Sequence, residues 1–462
     1  MKLGIVILAA GKGTRMRSAL PKVLHPLAGR PLIRHVIDAA HALGAVQICC
    51  VYGHGGELVP TTLAAAGCIW VEQTERLGTG HAVLQAMPAL AAMNRVLILY
   101  GDVPLIEPET LNRLVADSAH TALGVLTLRL PDPTGYGRIV RDKHGRVLRI
   151  VEQKDASEAE LEINEVNTGI IVADRRALND WLHQIDNKNA QGEYYLTDVI
   201  GIATAAGVQV ATTAPEMPEE VAGVNDRLQL AQLERYHQRR LAESLLLGGT
   251  SIADPARIDI RGELICERDV TLDVNLICEG RVRLGANVRV GPNCVLKDCD
   301  IGADTEILAN CLIEGAKIGV GARIGPFARL RPDADIGDRC HIGNFVEVKK
   351  SRVAEASKIN HLSYIGDTDI GSHVNVGAGT ITCNYDGVNK HRTAIGDRAF
   401  IGSNTALVAP VDVGAGATIG AGSVITRAAP ADQLTLTRAA QVTIEGWQRP
   451  VKLKPTPPDS QD

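Results

Sequence analysis

The chain has 462 residues, 45% of them apolar but only 3% aromatic, and a net charge of −5. That length exceeds one ordinary core, so two or three domains are expected. The charge supplies no basic field for nucleic acid, and no apolar run reaches the length of a membrane span.

The first element is the apolar strand Leu3–Ala10, which runs into Gly11-Lys12-Gly13-Thr14-Arg15-Met16. Basic residues follow the apolar stretch rather than precede it, so it reads as a strand and not as a signal peptide, and the expectation is a cytoplasmic protein. Glycines in this turn let backbone N–H groups approach phosphates, and Lys12 and Arg15 add positive charge. Met16 stands where a Rossmann fingerprint requires its third glycine, and the Gly-Lys-Ser/Thr of a Walker A loop is absent. Further strands at Val46–Tyr52, Val96–Tyr100 and Leu123–Leu128 alternate with helical patterns such as Leu32, Val36, Ala39 and Leu43. Such alternation predicts an α/β sheet with its site at the carboxyl ends of the strands. Val96–Tyr100 ends in Gly101-Asp102; taken alone Asp102 reads as a turn aspartate, and the other reading is a carboxylate placed to hold Mg²⁺ beside a phosphate. Leu228, Leu230, Leu233, Tyr236 and Leu241 then suit a long helix, stopped by Gly248-Gly249.

From Ile252 to Ile425 an aliphatic residue returns at every sixth position. One run is Leu312, Ile318, Ile324, Leu330, Ile336, Ile342 and Val348; another is Ile395, Ile401, Leu407, Val413, Ile419 and Ile425. A six-residue period fits neither helix nor strand and marks a parallel β-helix. None of the ten cysteines forms a C-x-x-C pair. Several, Cys294 among them, take the aliphatic phase and read as small buried hydrophobes rather than as disulfides or metal ligands. The repeat loses phase at Lys349–Arg352 and Asn360–Tyr364, and again at Thr380–Gly387. Loops leaving a rigid stack are the expected home of binding groups. His361 is the candidate general base, because histidine changes charge near neutral pH. Arg331, Lys349 and Tyr364 would together bind a phosphate.

The run Leu8-Ala9-Ala10-Gly11-x-Gly13-Thr14-Arg15-Met16, followed by Pro21-Lys22, resembles the sugar-nucleotide pyrophosphorylases. That resemblance implies that Leu8, Ala9, Ala10 and Gly11 hold the nucleotide, that Arg15 and Lys22 meet the phosphates, and that Gln73, Gly78 and Thr79 read uracil. It further implies that Tyr100 and Gly101 flank a Mg²⁺ held by Asp102 and Asn225, and that Gly137, Glu152 and Asn167 grip the sugar. Asp226 departs from the Asn-Asn pattern associated with the family at 225–226.

Over residues 1–450 the chain resembles the bacterial bifunctional enzymes that join a UTP-dependent N-acetylglucosamine-1-phosphate uridylyltransferase to a glucosamine-1-phosphate N-acetyltransferase. The resemblance implies a homotrimer with acetyltransferase sites between subunits. Arg331, Lys349, Tyr364 and Asn375 would bind glucosamine 1-phosphate, with His361 as base and Glu347 orienting it. Ala378, Asn384, Tyr385, Ser403, Ala421 and Arg438 would form the acetyl-CoA side of the pocket. The organisation expected is a Rossmann-like α/β domain at 1–227, a linker helix at 228–249, a left-handed parallel β-helix at 250–437 and a loosely ordered tail at 438–462.

Overall fold

The structure is a computed structural model, and it describes residues 1–11, 13–53 and 56–452. Lys12, expected to supply charge to the Gly-rich turn, lies outside the described residues, as do the last ten residues of the expected tail. The chain divides into two compact units, Met1–Asp300 and Ile301–Asp462.

In the first unit a sheet is built around strand Leu3–Ala9, which pairs in parallel with Gln47–Tyr52 on one side and Arg95–Tyr100 on the other. Ile69–Glu72 extends it beyond Gln47–Tyr52. Glu165–Asp174 runs antiparallel between Arg95–Tyr100 and Leu123–Arg129. Alternation along each strand separates two cores. Val6, Leu8, Val96 and Ile98 face one, while Ile5, Ile7, Leu97 and Leu99 face the other. Both faces are therefore buried, as a largely parallel sheet requires. Helix Leu32–Ala42 covers one of them, burying Leu32, Ile33, Val36 and Ile37. Because strand Leu3–Ala9 is followed in sequence by one neighbour and joined much later by the other, a crevice opens between their carboxyl ends.

The long helix spans Arg227–Leu247. Asp226 caps it, its carboxylate accepting from the Gln229 N–H at 2.9 Å, which gives the departure from Asn-Asn a structural use. The expected apolar stripe is only partly realised. Leu228 is 68% exposed, whereas Leu233, Gln238 and Ala242 are buried. Leu233 joins Met16, Leu27, Leu32, Leu105 and Val224 in a small core that Leu230 and Tyr236 pack against, and polar contacts add to this attachment. Gln238 donates to the Ile260 carbonyl at 2.8 Å and accepts from the Ile260 N–H at 2.7 Å. It thereby pairs like a strand residue with the edge strand Ile258–Cys266. Glu234 accepts from the Ala28 N–H at 2.7 Å. Gly248 and Gly249 end the helix, Gly249 with φ +96°. The first repeats also belong to this unit, with Ser251, Thr271 and Arg289 in one parallel ladder.

The second unit is a parallel β-helix with coils of 17 or 18 residues, set by the ladder Arg323, His341, Lys358. Ile318, Ile324, Leu330, Ile336, Ile342 and Val348 are all buried, as are Ile395 to Ile425 in six-residue steps. Leu312 is an exception at 37% exposure, and its neighbour Ile313 points inward instead. The cause is a corner one residue short. Ile313 and Ile318 are five apart, with Gly315 turning at φ +57°. The same economy explains the apparent loss of phase at Lys349–Arg352. Val348 and Val353 are five apart, turned at Lys350 with φ +49°. Residues 349–364 thus stay inside the coils as strands Glu347–Lys349, Arg352–Val353 and Lys358–His361. Within this span the expectation of loops is corrected. Among the described residues between Thr382 and Ile395, 384–392 leave the stack. Residues 438–452 form no helix or strand and are exposed. Among the described residues, no helix is long and apolar enough to cross a membrane.

In the first unit His35 and His237 meet edge-on, their ring centroids 5.7 Å apart. Burial, then the neighbouring His35, Arg240 and Arg30, push the His237 pKa down to about 4. The unfolded chain takes up this proton near pH 6.5 and the folded chain only near 4, so stability falls as pH drops through that window. Urea unfolding followed at pH 7 and pH 5 should show a loss on the order of 1–2 kcal/mol, and His237→Gln should flatten that slope.

Candidate functional sites

In the first unit the crevice is a cavity of about 500 Å³ lined by Leu8, Ala9, Ala10, Gly11, Lys22, Gln73, Gly78, Thr79, Tyr100 and Asp102. Ten residues singled out from sequence therefore share one cavity. Its floor is fixed by backbone pairing, as the Gly101 N–H donates to the Leu8 carbonyl at 2.9 Å. A Cβ at Gly11 would meet no atom within 4 Å, so glycine is not demanded by packing there and leaves room for a ligand. Gly78 differs. Its φ is +116°, and a Cβ would lie 2.5 Å from the Tyr194 carbonyl oxygen.

Gln73 is buried, and its amide donates to the Gly78 carbonyl at 3.1 Å, with His81 Nδ1 at the same distance. Thr79 Oγ1 accepts from the Leu196 N–H at 3.0 Å, which ties the cavity rim to the segment carrying Tyr194. Arg15 lies exposed in the turn Thr14–Met16. Met16 is buried, and its carbonyl accepts from Arg227 Nε at 3.1 Å, so the turn is anchored to the long helix.

The Lys22 ammonium pairs with the Asp102 carboxylate and donates to Asn225 Oδ1 at 3.2 Å. Asp102 and Asn225 thus converge from two elements, held in part by the Val224 N–H donating to the Asp102 carbonyl at 2.9 Å. Two oxygen donors beside the cavity suit a hard divalent cation, which prefers oxygen ligands.

Beyond Tyr100, Gly137, Glu152 and Asn167 come together. The Asn167 N–H donates to the Gly137 carbonyl at 2.8 Å, and Glu152 accepts from Thr197 Oγ1 at 3.0 Å. A bulge between Asn167 and Ile171 brings Gly169 so close that a Cβ there would meet the Tyr100 ring at 2.5 Å. Burial, then the Glu152 and Asp102 carboxylates, raises the Tyr100 pKa, keeping its hydroxyl protonated. Burial raises the Glu152 carboxyl as well. Asp198, not anticipated from sequence, is raised to about 6 by burial and then by Asp186, Glu152 and Asp155. Arg76 and Glu193 also line the cavity unforeseen, since neither belongs to a motif.

In the second unit the repeat sorts residues into columns. The Leu362 N–H donates to the Asn344 carbonyl, Gly379 to His361, Asn404 to Ala378 and Gly422 to Ser403. His361, Ala378 and Ser403 therefore sit one above another on successive coils, and the Ile401–Ile419 pairing places Ala421 next. The catalytic candidate and three of the expected acetyl-CoA contacts form one column, whose side chains above His361 are small. Asn375 lies on the same face, paired with Lys358 and Phe400. Beside His361, the buried carboxamide oxygens of Asn344 and Asn360 have no hydrogen-bond partner.

Across the corner, Glu347, Tyr364 and Ile381 pair in register. Glu347 accepts from Arg331 Nη1 at 2.9 Å. The carboxylate expected to orient His361 is thus engaged with Arg331. Gly366 lies where a Cβ would meet the Tyr364 hydroxyl at 2.5 Å and Asn384 Nδ2 at 2.9 Å. Those two groups converge over it, and Asn384 also donates to the buried Asp367. Lys390, missed in the sequence, has its pKa lowered by the neighbouring Lys349 ammonium. Its signal was present only as a lysine inside the loop. Tyr385 is exposed and bridges to Lys390; His391 lies 2.7 Å from Asp386 and pins the loop. Arg438 is exposed just past Thr437, whose N–H donates to Ser423 Oγ at 3.2 Å.

A nucleotide-sized cavity at parallel strand ends and a hexapeptide stack with a polar corner define a nucleotidyltransferase joined to a hexapeptide-repeat transferase. Residues 5–153 match the MobA-like NTP transferase domain. Residues 315–350 match the bacterial transferase hexapeptide (six repeats), and residues 392–427 the hexapeptide repeat of succinyl-transferase. The chain belongs to the family of the bifunctional protein GlmU. It is 57% identical over 448 residues to that protein of Azoarcus sp. (strain BH72), covering 97% of this chain and 99% of the relative. It is 58% identical over 450 residues to that of Aromatoleum aromaticum, with coverage of 97% and 99%. Against that of Janthinobacterium sp. (strain Marseille) the identity is 56% over 452 residues, with coverage of 98% and 100%.

The two glycines make opposite predictions. Gly78→Ala should lower stability by about 1–3 kcal/mol through strain and overpacking, whereas Gly11→Ala should stay within about 0.5 kcal/mol of the parent. Chemical denaturation of both variants checks this.

Proposed function

We propose that the chain makes UDP-N-acetylglucosamine in two transfers. Acetyl-CoA acetylates glucosamine 1-phosphate, and the product then attacks UTP to release pyrophosphate. The observation that carries the acetyl assignment is the column of His361, Ala378, Ser403 and Ala421 beside the Lys349–Lys390 corner. Two ammonium groups close together seek a dianion, which the sugar phosphate provides. Arg331, Tyr364 and Asn375 complete its seat. His361 takes a proton from the sugar's 2-amine as nitrogen bonds to the acetyl carbon. The C–S bond then breaks, and coenzyme A leaves as a thiol once it regains a proton. The pantetheine arm lies along the small side chains of the column, with Asn384 and Tyr385 at its reacting end and Arg438 near its phosphates. His361 and Tyr385 are exposed in a single chain, which supports the reading that three copies assemble and cover them. On this reading 250–437 is the acetyl-transfer domain, and 1–227 the uridylyl-transfer domain, with 228–249 joining them.

In the cavity, Leu8–Gly11 and Tyr100–Gly101 cradle the nucleotide, while Gln73 with Gly78 and Thr79 reads uracil. Gly137, Glu152 and Asn167 accept the sugar. Arg15 and Lys22 offset charge on the phosphate oxygens as the sugar phosphate attacks the α-phosphorus. Asp102 and Asn225 would hold Mg²⁺, which supplies charge neutralisation at those oxygens when bound. A sugar phosphate is already a nucleophile, so no side chain is needed as its base. This chemistry would take place in the cytoplasm.

His361→Ala should lower acetyl transfer to glucosamine 1-phosphate by about 10²-fold or more and spare uridylyl transfer. Unchanged acetylation by purified protein would favour the alternative, a uridylyltransferase whose β-helix only assembles it. Conversely, Asp102→Ala should abolish UDP-N-acetylglucosamine formation from N-acetylglucosamine 1-phosphate while coenzyme A release from acetyl-CoA continues.

A further inference from the structure

The oxygens of Asp102 and Asn225 already share a cation that belongs to the protein. The Lys22 ammonium pairs with Asp102 and lies 3.2 Å from Asn225 Oδ1. The contact is sheltered, with the Lys22 and Asp102 side chains only 12% and 17% exposed. The lysine is held at its root. Its turn Lys22–Leu24 buries Val23 and Leu24, and a Cβ on Gly13 would come within 2.7 Å of the Lys22 Cβ. The stem beyond is unbranched and ends in a compact charge, and Lys22 also lines the nucleotide cavity. A rooted lysine can therefore move its charge between the oxygen pair and the cavity without moving the backbone.

We propose that Lys22 acts as an exchangeable counter-ion for this oxygen pair. It holds Asp102 and Asn225 together, and it gives them up when the phosphates of the nucleotide draw its ammonium into the cavity. The proposal rests on the assignment of Asp102 and Asn225 to the divalent cation. An ammonium and a divalent cation cannot share one carboxylate and one amide oxygen without strong mutual repulsion in so sheltered a place. A triphosphate, by contrast, offers Lys22 more negative charge than Asp102 does. Nucleotide and divalent cation are therefore coupled through the position of one side chain, and each strengthens the binding of the other. Lys22 is a positioning residue toward the metal as well as a phosphate contact. Without nucleotide, the protein's own cation competes for the donor pair and keeps its affinity for free divalent metal low.

The test is a titration of the full-length protein with Mn²⁺ alone, read by the electron paramagnetic resonance signal of free Mn²⁺, with circular dichroism confirming that each variant is folded. Lys22→Met, which keeps the length and removes the charge, should bind Mn²⁺ roughly tenfold more tightly than the parent. Lys22→Arg, which keeps the charge, should bind it as weakly as the parent. An unchanged or weaker affinity in Lys22→Met would overturn the proposal, as would equal gains in both variants. Asp102→Asn separates this from the metal assignment. If Asp102→Asn weakens Mn²⁺ retention in the presence of UTP while Lys22→Met gains nothing, the exchange fails and the assignment stands. If Asp102→Asn has no effect on Mn²⁺ under either condition, the assignment fails and the proposal with it.

Discussion

Parallel backbone pairing in unbroken register is the constraint on which both halves of this chain depend. Where two strands pair in parallel their carboxyl ends lie side by side, so functional groups on the turns that follow are brought together. In the first unit this alignment puts Leu8 beside Tyr100 and brings two distant turns to one cavity. In the second it repeats on every coil and converts sequence spacing into vertical columns, so that His361, Ala378 and Ser403 share a line although 17 and 25 residues separate them. The same device serves a site at the end of a sheet and a site along the side of a stack.

Much of this was legible in the sequence because the signals were local or periodic. The six-residue return of aliphatic residues defines the coil, and all of Ile395 to Ile425 fill its interior. The strand that ends in Gly11 and the strand that ends in Asp102 carry their turn chemistry with them. What escaped reading was set by neighbours far away in sequence. The slip at Lys349–Arg352 looked like a departure from the coil and Leu312 looked like part of its inward set, yet each marks a corner shortened by one residue. A five-residue corner conserves the inward phase of the next strand, which counting from a fixed origin cannot show. Arg76, Glu193, Asp198 and Lys390 have no motif and gain meaning only through what they face. The long helix shows the same limit. Its apolar residues predicted a buried stripe, which Leu230, Leu233 and Tyr236 form, but the two backbone hydrogen bonds from Gln238 to Ile260 carried no apolar signal.

The two sites handle charge in different ways. The cavity of the first unit keeps Lys22, Asp102 and Asn225 in mutual contact, so opposite charges are neutralised within the protein before any phosphate arrives. The corner of the second unit sets Lys349 beside Lys390 with Asp367 and Tyr364 nearby, an excess of positive charge waiting for an anion. A balanced site exchanges partners on binding, whereas an unbalanced one gains a partner. Glu347 restores some balance to the second by pairing with Arg331, which also fixes the guanidinium at the edge of the pocket.

One corner of the stack is free to vary while the faces are not. Inward residues on either side of it are five apart at Val348–Val353, six at Leu330–Ile336 and thirteen at Thr382–Ile395, yet the strands beyond resume the same register each time. Changes of length at this corner are absorbed where they occur and do not propagate up the coils. The corner is thus a splice point, where a longer or shorter loop can be grafted to recognise a different acceptor while the column that carries His361 keeps its spacing.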